Sequence, residues 1–522
     1  MSKLVAIRVR NLRSLEDTGF IELKPITILV GKNSAGKSTF ARLLPLLRQT
    51  AEVQKKEPIL WWGRFVDFGS FSDSVSKNSS AREIELTFKV LIEDMLGNKA
   101  YILKGWKSPG SEELTEVEAG IVLKENDATH ESYLARVKIK QGIDEYTIDF
   151  DNSQKLVSIK VNDFSPDLSS VALTQVVLAS IFPRIEFFKK RKVALPDNST
   201  GEVLYSADQI KFELLRFFSV AGLVHGNTGW DTVLDIIRQL DVSSIESLLT
   251  SMKGVVGAPS SWRSTVDNLN KNNQKLVDLR NRILASGILG MLEQIDSVLV
   301  SAVSSCSYIE PLRATAERYY RKQGLSVAEV DSKGANVPFF LESLTRGDRD
   351  QFESWMEAHL KARVRTVPDG GGHLVILLKE KSGIEVNLAD VGFGFSQVLP
   401  VALQLWAASR KKMRKRIAPN ANSSIVVIEQ PELHLHPEYQ AKIADLIKST
   451  VDSGFVNVIV ETHSPSIINR LGFLIATEKL DRGMIQVLRF EKDETSTSTF
   501  ISTSSFDSDG VLQDWPYGFF DI

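Results

Sequence analysis

The chain has 522 residues, of which 43% are hydrophobic and 25% are charged, and its formal net charge is −2. This length favours roughly two to four domain-sized units. The near-neutral charge excludes a strong overall attraction to nucleic acid, and the single cysteine, Cys306, excludes an internal disulfide. The N-terminus lacks the apolar core of a signal peptide, and we find no run of about 18 apolar residues, so the sequence predicts a cytoplasmic protein without a membrane span.

The first third of the chain is rich in strand patterns. Short apolar runs at residues 4–9, 20–23 and 26–30 predict strands, and residues 37–49 predict an amphipathic helix. Alternating apolar and polar stretches between residues 84 and 161 predict an antiparallel sheet. We therefore expect a first lobe at residues 1–172 that carries a β layer.

The middle and the end of the chain have different patterns. Residues 173–303 predict an inserted, mainly helical domain whose apolar spacing is too irregular for a long coiled coil. Strand and helix patterns return in a second lobe, residues 304–522, and the fold class is therefore α/β with a helical insertion. The large aromatic residues at the end need burial and predict an ordered tail: they are Trp515, Tyr517, Phe519 and Phe520.

The strongest motif is a loop of the form G-x-x-x-x-G-K-S between a predicted strand and a predicted helix. Its glycines allow backbone amides to surround a phosphate, its lysine would contact the β- and γ-phosphates, and its serine would bind Mg²⁺. The alternative is a chance match in a Gly/Ser-rich loop. The loop consists of Gly31, Lys32, Asn33, Ser34, Ala35, Gly36, Lys37, Ser38 and Thr39.

An acidic residue follows the apolar run at residues 425–428. This pattern predicts a buried strand that delivers the carboxylate of Glu429 to its C-terminal end, where it would bind Mg²⁺ together with Ser38, usually through water. The alternative is an ordinary core strand that ends in an exposed acid.

Two further motifs flank this strand. The glycine-rich loop at residues 390–397 leads into a predicted helix, which is a second phosphate-facing arrangement, unless it is only a tight connection. Another apolar strand ends in Glu461, Thr462 and His463. His463 could sense a γ-phosphate, although a single histidine is more often structural.

The order of these motifs resembles the ABC ATPase heads of the SMC, RecF and OLD-like group. In that group, the phosphate loop of one subunit and the signature loop of another enclose one ATP, which implies ATP and Mg²⁺ as cofactors and a head-to-tail homo-oligomer. The resemblance implies that residues 31–39 are the Walker A loop, that Glu429 is the Walker B acid and that His463 is the switch histidine. The implied signature is Phe393, Gly394, Phe395, Ser396 and Gln397, and the implied N-terminal nucleotide contacts are Asn11, Arg13 and Ser14.

A narrower resemblance concerns five segments of the chain. They are YIEPLRATAERYY, NLADVGFGFSQVLPV, IEQPELHLHP, ETHSPSIINRL and the terminal WPYGFFD. These segments look like a family of bacterial ATPases that includes the PtuA subunit of the Septu anti-phage system and ATPases attached to retrons. This resemblance implies a nucleotide-gated scaffold that works with a separate PtuB-like HNH nuclease, with DNA or retron nucleic acid as a possible ligand.

The residue after the predicted Walker B acid departs from the usual pattern. Most ABC heads have a glutamate there as the general base, whereas this chain has Gln430. An amide cannot accept the proton, so we expect slow ATP hydrolysis, with Glu432 as an alternative base. His434 and His436 lie in a loop without further ligands, and we expect them to be structural.

Two basic runs, and the lack of a recognisable nuclease motif, bear on whether the protein binds or cuts nucleic acid. Residues 189–192 and 410–416 could bind a phosphate backbone, although charge runs are more often solvated. We find no acidic nuclease module after His463, so we expect an ATPase that does not itself cut DNA. The alternative is a RecF-like repair or recombination ATPase that binds DNA directly.

Overall fold

The structure is a computed structural model that describes most of the chain. The described residues are 2–93, 114–178, 180–194, 200–206, 208–324, 326–380, 383–410, 413, 415, 417–418, 423–492 and 498–514. The predicted aromatic tail at residues 515–520 lies outside the described residues, and so do Lys411, Lys412, Arg414 and Arg416 of the second basic run.

The chain divides into two compact units. Unit 1 comprises Met1–Ile7, Val53–Ile59 and Glu83–Leu299, and unit 2 comprises Arg8–Glu52, Leu60–Arg82 and Val300–Ile522. This division differs from the predicted lobes, because the strand layer after residue 83 belongs to the same unit as the helical segment. All the motifs predicted to bind nucleotide lie in unit 2, so the candidate site can be described within one unit.

We number the helices and strands in chain order. The strands are β1 (Lys3–Leu12), β2 (Leu15–Asp17), β3 (Ile21–Glu22), β4 (Ile26–Gly31), β5 (Glu83–Glu93), β6 (Leu114–Glu125), β7 (Ser132–Gln141), β8 (Asp144–Phe150), β9 (Leu156–Val161), β10 (Leu173–Val177), β11 (Arg184–Ala194), β12 (Thr200–Ser206), β13 (Cys306–Ile309), β14 (Tyr320–Arg321), β15 (Ala362–Asp369), β16 (His373–Glu380), β17 (Glu385–Asn387), β18 (Ser424–Glu429), β19 (Val456–Glu461), β20 (Ile485–Lys492) and β21 (Thr499–Ser504). The helices are α1 (Lys37–Ala41), α2 (Leu43–Glu52), α3 (Phe71–Ser74), α4 (Gln209–Val220), α5 (Trp230–Ile237), α6 (Ile245–Lys253), α7 (Ser260–Val266), α8 (Gln274–Ser304), α9 (Val337–Ser343), α10 (Arg346–Leu360), α11 (Phe393–Ser409), α12 (Pro437–Val451) and α13 (Pro465–Ala476).

The central sheet of unit 2 has the strand order β13-β18-β19-β4-β20-β21. The first five strands are parallel, and β21 pairs antiparallel with β20. Every residue of β4 and β18 is buried, which explains why both read as continuous apolar runs rather than alternating ones. The predicted α/β fold is confirmed, and this sheet carries the phosphate loop at the end of β4.

The helix predicted after the phosphate loop is divided into α1 and α2 at Arg42. Pro45 has no amide proton and cannot donate the helical hydrogen bond to the carbonyl of Ala41, so the helix is interrupted at this point. The interruption leaves Arg42 at the end of a very short helix, directly behind the phosphate loop.

Helices and a second sheet complete unit 2. The core side chains of α11, α12 and α13 form one buried cluster with β4, β18 and β19. Trp406 of α11 is fully buried in this cluster and contacts Phe352 of α10 edge-on, with ring centroids 5.1 Å apart. A smaller antiparallel sheet has the order β14-β16-β15, and β17 also pairs with β16.

Unit 1 contains the predicted antiparallel layer. Strands β5 to β9 pair antiparallel in sequence order, and β5 alternates between buried and partly exposed residues, as expected for a sheet with one covered face. Arg280 of α8 forms a bidentate, buried ion pair with Asp144 of β8, at 2.6 and 2.7 Å. This pair joins the helical part of unit 1 to its sheet.

The segment predicted to be a mainly helical domain, residues 173–303, begins with strands in the structure. Strands β10, β11 and β12 form a separate antiparallel sheet, and the helices begin only at Gln209. In β11, the buried Ile185 and Phe187 alternate with the more exposed Arg184 and Glu186, which is the two-residue period of a strand.

Helix α8 is long and apolar enough to cross a membrane by length and composition alone, whereas the sequence analysis found no such segment. A core helix of a soluble protein passes the same test. Within unit 1, Asp296 of α8 accepts hydrogen bonds from the backbone amides of Ile181 and Phe182, in addition to the pair made by Arg280. These buried polar contacts are typical of a helix that packs inside a protein.

The first basic run lies on β11. Lys190 forms an ion pair with Glu202 of β12 at 2.7 Å, and the Nζ of Lys189 lies 4.4 Å from the ring centroid of Phe212. These two cations therefore already have protein partners, as expected for an ordinary charged face.

Candidate nucleotide-binding site

The phosphate loop requires glycine at two positions. Gly31 has a φ of 145°, and a Cβ built there would lie 2.2 Å from the carbonyl oxygen of Phe490. Gly36 has a φ of 90°, and its Cβ would lie 2.8 Å from the Oγ of Ser14. Other residues would be strained at both positions and would also collide with their neighbours.

The remaining loop residues divide by exposure. Lys32, Asn33 and Ser34 at the tip are exposed, whereas Ala35 and Thr39 are buried against the protein. Ser34 has a φ of 61°, so the tip turns sharply. The backbone of the exposed tip is accessible to a ligand.

Lys37 is buried and points back into the loop. Its Nζ donates hydrogen bonds to the carbonyl oxygens of Gly31 and Lys32, both at 2.8 Å, and lies 4.0 Å from Oε1 of Glu461. Burial lowers the pKa of Lys37, and the nearby charge of Glu461 opposes this shift.

Ser38 forms its hydrogen bond with an acid that the sequence analysis did not assign. The hydroxyl of Ser38 donates to Oε2 of Glu461 at 2.7 Å. Glu461 ends β19, the strand next to β4, and its side chain is almost completely buried. Burial, together with the adjacent charge of Glu429, raises the pKa of Glu461 to about 7.

Glu429, the predicted Walker B acid, has both carboxylate oxygens occupied. Arg42 donates from Nε to Oε1 and from Nη2 to Oε2, both at 2.7 Å. The hydroxyl of Tyr308 also donates to Oε1, at 2.8 Å. The side chain of Glu429 therefore holds the segment behind the phosphate loop, in a bidentate arrangement that is among the stronger polar contacts in proteins.

Gln430 has a φ of 41°, and hydrogen bonds on both sides hold its backbone. Its amide donates to the carbonyl of Glu461 at 2.8 Å, and Nη2 of Arg313 donates to the carbonyls of Glu429 and Gln430 at 2.9 and 3.0 Å. Burial lowers the pKa of Arg313 to about 10, against the opposing charge of Glu432. Arg313 thus anchors the turn that carries the predicted catalytic position.

Glu432 and His463 are joined through the backbone. The amide of His463 donates to Oε1 of Glu432 at 2.6 Å. Burial raises the pKa of Glu432, and the hydrogen bond from His463 opposes this shift. Burial and the charge of Lys37 lower the pKa of His463, so its imidazole is favoured in the neutral form near the phosphate loop.

The two other histidines of this segment have local contacts. The ring of His434 contacts Phe393 edge-on, with centroids 4.9 Å apart, and Nδ1 of His436 accepts a hydrogen bond from the amide of Glu438 at the start of α12. Among the described residues, no group of three or more His, Cys, Asp or Glu side chains is arranged to hold a metal ion.

The predicted signature forms the first turn of α11. Phe393 is 46% exposed, and the hydroxyl of Ser396 donates to its carbonyl. A Cβ on Gly394 would lie 3.2 Å from the carbonyl of His434. The buried Gln397 donates to the carbonyl of Arg313 at 3.3 Å, so the first turn of this helix contacts the segment that follows β18 as well as the chain around Arg313. Phe395 is buried in the same turn.

The N-terminal motif borders the phosphate loop. Asn11 and Arg13 have φ values of 57° and 52°, and Arg13 lies over the ring of Phe68, 4.4 Å from its centroid. The Oγ of Ser14 lies beside Gly36. Burial and the positive charge of Arg42 lower the pKa of Arg13.

The sequence matches one protein family over most of its length. The model of the AAA ATPase domain matches residues 2–196 and 267–468. The chain belongs to this family. The unmatched residues between the two segments contain α4 to α7, so the inserted helices of this ATPase lie largely outside the family domain.

Solved structures similar to this chain include SMC head domains. The Smc head domain of Pyrococcus furiosus with an extended coiled coil, bound to the C-terminal domain of ScpA, is 12% identical, with 97% of each chain covered and a TM-score of 0.35. The Smc head domain of Pyrococcus yayanosii with a coiled coil and joint is 11% identical, with 98% of each chain covered and a TM-score of 0.35. The SMC head domain of Thermotoga maritima is 9% identical, with 96% of this chain and 98% of that chain covered and a TM-score of 0.32. Similarity at this level decides neither fold nor function, and no curated protein matches the ATPase significantly.

The site has the oxygen donors that Mg²⁺ prefers. The Ser38 hydroxyl and the Glu461 carboxylate adjoin each other at the mouth of the phosphate loop, and Mg²⁺ usually takes one or two carboxylates besides phosphate oxygens and water. The assignment of Ser38 and Glu429 as the Mg²⁺ residues stays a prediction, and the structure adds Glu461 to the candidates.

Sequence reasoning missed four residues of this site. They are Arg42, Tyr308, Arg313 and Glu461. Glu461 could have been predicted from the sequence, since it ends an apolar strand just as Glu429 does. The contacts of Arg42, Tyr308 and Arg313 join segments more than 100 residues apart and have no local pattern.

We expect the variant Lys37→Ala to weaken ATP binding by about tenfold or more, because a hydrogen bond to a charged group contributes about 1.5–3 kcal/mol. Isothermal titration calorimetry with a non-hydrolysable ATP analogue would measure this loss. Lys32→Ala is the matched control, since it removes an exposed lysine from the same loop and should have a much smaller effect. Unchanged affinity in a folded Lys37→Ala protein would contradict the Walker A assignment.

Proposed function

We propose that this ATPase binds ATP with Mg²⁺, hydrolyses it slowly and uses the nucleotide to gate a protein complex. The observation that carries the proposal is the side-chain amide of Gln430. This residue directly follows Glu429 in a chain that also contains a complete phosphate-loop motif. An amide cannot take the proton from an attacking water, and a positioned general base typically contributes about 10²–10⁴-fold to the rate.

Lys37 and the loop backbone are the phosphate-binding groups of this proposal. The Nζ of Lys37 now donates to two neutral carbonyl groups, which are weaker acceptors than an ionised phosphate. Exchange of these carbonyls for phosphate oxygens would strengthen both hydrogen bonds. The exposed tip at residues 32–34 offers further backbone donors.

The contacts of Glu432 disfavour it as a substitute base. Its Oε1 is committed to the amide of His463, and its movement would break that bond. Its Oε2 has no hydrogen-bond partner among the described residues, so a Glu432 variant belongs in the test of the mechanism.

The start of α11 supports a head-to-tail homo-oligomer. The resemblance to ABC heads implies that the signature of one subunit covers the nucleotide of another, and such a surface must be accessible. Phe393, at 46% exposure, and the exposed residues Asp390 and Gly392 meet this requirement. ATP would then complete the interface between the two copies.

The partner in this proposal is a PtuB-like HNH nuclease of an anti-phage defence complex. The support is the resemblance of the five segments given above, among which YIEPLRATAERYY contains Arg313 and IEQPELHLHP contains Glu429 and Gln430. Slow hydrolysis suits a switch, because the lifetime of each state then follows the nucleotide level. ATP would hold the heads closed and the nuclease silent, and a fall in ATP would favour the active state according to the difference in ATP affinity between them.

Ser396→Arg tests the oligomer. Ser396 is buried and lines a cavity of about 320 Å³ that can accept a longer side chain, and in the proposed oligomer an arginine there would alter the first turn of α11, which faces the γ-phosphate bound by the other copy. We expect ATP-dependent association, measured by light scattering, to be lost. Ser409→Arg at the far end of α11, where the serine makes the same type of hydrogen bond to Trp406, should associate normally. Normal association of Ser396→Arg would rule out the signature assignment.

Gln430→Glu tests the catalytic step. A carboxylate at this position should raise ATP turnover by about tenfold or more, because it restores a proton acceptor. Steady-state phosphate release, with ATP affinity measured in parallel, would show the change. Fast hydrolysis by the native protein that is lost in Glu432→Gln would show instead that Glu432 is the base.

Cleavage assays test whether DNA is cut by a separate nuclease and not by the ATPase itself. We expect the purified ATPase alone to leave DNA intact with Mg²⁺ or Mn²⁺, and we expect the activity of its complex with the nuclease to fall as ATP rises through the millimolar range. Cleavage by the isolated chain that is lost on mutating acids outside the ATP site would overturn this proposal. Activation by ATP would keep the switch and reverse its direction.

A further inference from the structure

Two carboxylates end adjacent parallel strands at the same edge of the central sheet. Glu429 of β18 and Glu461 of β19 are direct partners in the strand register. Both side chains are almost completely buried. The two carboxylates have different hydrogen-bond partners, and these partners indicate different roles for Glu429 and Glu461.

Glu461 is the acid that faces the phosphate loop. Its strand is paired with β4, so it lies one strand closer to the loop than Glu429 does. Its two oxygens are directed to the loop residues Ser38, at 2.7 Å, and Lys37, at 4.0 Å. Ser38 is the residue whose hydroxyl is expected to bind Mg²⁺ in a loop of this sequence.

Glu429 is turned to other partners. Arg42 occupies both of its oxygens and Tyr308 adds a third hydrogen bond. Recruitment of Glu429 to a metal would break both hydrogen bonds of the bidentate pair and leave the guanidinium of Arg42 without its carboxylate.

We propose that Glu461, together with Ser38, provides the protein ligands of Mg²⁺, directly or through water, and that Glu429 at the Walker B position is a positioning residue for Arg42. This inference rests on the proposed binding of Mg²⁺ and ATP. It assigns the metal to the acid of the strand next to β4, and it explains why the serine of the loop is bonded to that acid. The neighbouring Lys37 would remain available to the phosphates.

The test compares two isosteric variants, Glu461→Gln and Glu429→Gln, with Mn²⁺ as the probe. Mn²⁺ bound in the presence of a non-hydrolysable ATP analogue would be measured by electron paramagnetic resonance, and affinity for the analogue alone would be measured in EDTA. We expect Glu461→Gln to lower Mn²⁺ affinity by about tenfold or more, since even residues that only orient a ligand change metal affinity by about 10–100-fold. We expect Glu429→Gln to retain Mn²⁺ affinity within about threefold and to lower the melting temperature, because it weakens the pair with Arg42.

Two further variants keep the test decisive. Ser38→Ala should lower Mn²⁺ affinity like Glu461→Gln, and their combination should lose less than the sum of the single losses, because both act on one metal. If Glu461→Gln does not fold, Glu461→Asp keeps the charge but shortens the side chain, and it should still weaken Mn²⁺ binding. Loss of Mn²⁺ in Glu429→Gln with retention in the Glu461 variants would overturn the inference. Failure of the native protein to bind the ATP analogue at all would instead overturn the proposed function.

Discussion

The parallel pairing of β18, β19 and β4 is the constraint on which the candidate site depends. All three strands are almost wholly buried, so a shift of register by one residue would move each side chain to the opposite face of the sheet and disrupt the packing there. The register places Glu429 opposite Glu461 and Glu461 opposite Leu29. Residues far apart in sequence therefore reach one edge of the sheet, and the phosphate loop begins at that edge.

This arrangement brings two negative charges together in a buried place, and the surrounding cations balance them separately. Glu429 has Arg42, and Glu461 has Lys37. The balance is not equal, since Arg42 makes two short hydrogen bonds whereas the Nζ of Lys37 remains 4.0 Å from its acid. Burial and the charge of Glu429 raise the pKa of Glu461, so a cation bound beside it would favour its ionised form. Glu461 thus has the weaker cation contact of the two acids, and it is the acid beside the loop hydroxyl that is proposed to bind Mg²⁺.

The sequence is sufficient for the fold class and for the local motifs, because both depend on short-range patterns. The phosphate loop is contiguous, and the buried strands of the central sheet read as apolar runs. The sheet formed by β10 to β12 was missed because only the short alternation around Ile185 and Phe187 marks it within a segment dominated by helices. The bond between Ser38 and Glu461 spans 423 residues, and only the strand order brings its ends together. The pair of Arg42 with Glu429 spans 387 residues and could not be predicted for the same reason. Arg42 lies at the interruption between α1 and α2.

The neutral side chain of Gln430 is consistent with this electrostatic arrangement. The backbone of Gln430 lies between the two acids, because it follows Glu429 in the chain and its N–H donates a hydrogen bond to the carbonyl of Glu461. A carboxylate there would be a third negative charge near a pair that already raises the pKa of one member, and like charges oppose ionisation of each other. Arg313, which holds the turn through the carbonyls of Glu429 and Gln430, binds the backbone and does not neutralise a side chain at this position. A neutral side chain therefore avoids additional repulsion but cannot act as a base, which links the charge balance of the site to the slow hydrolysis that we propose.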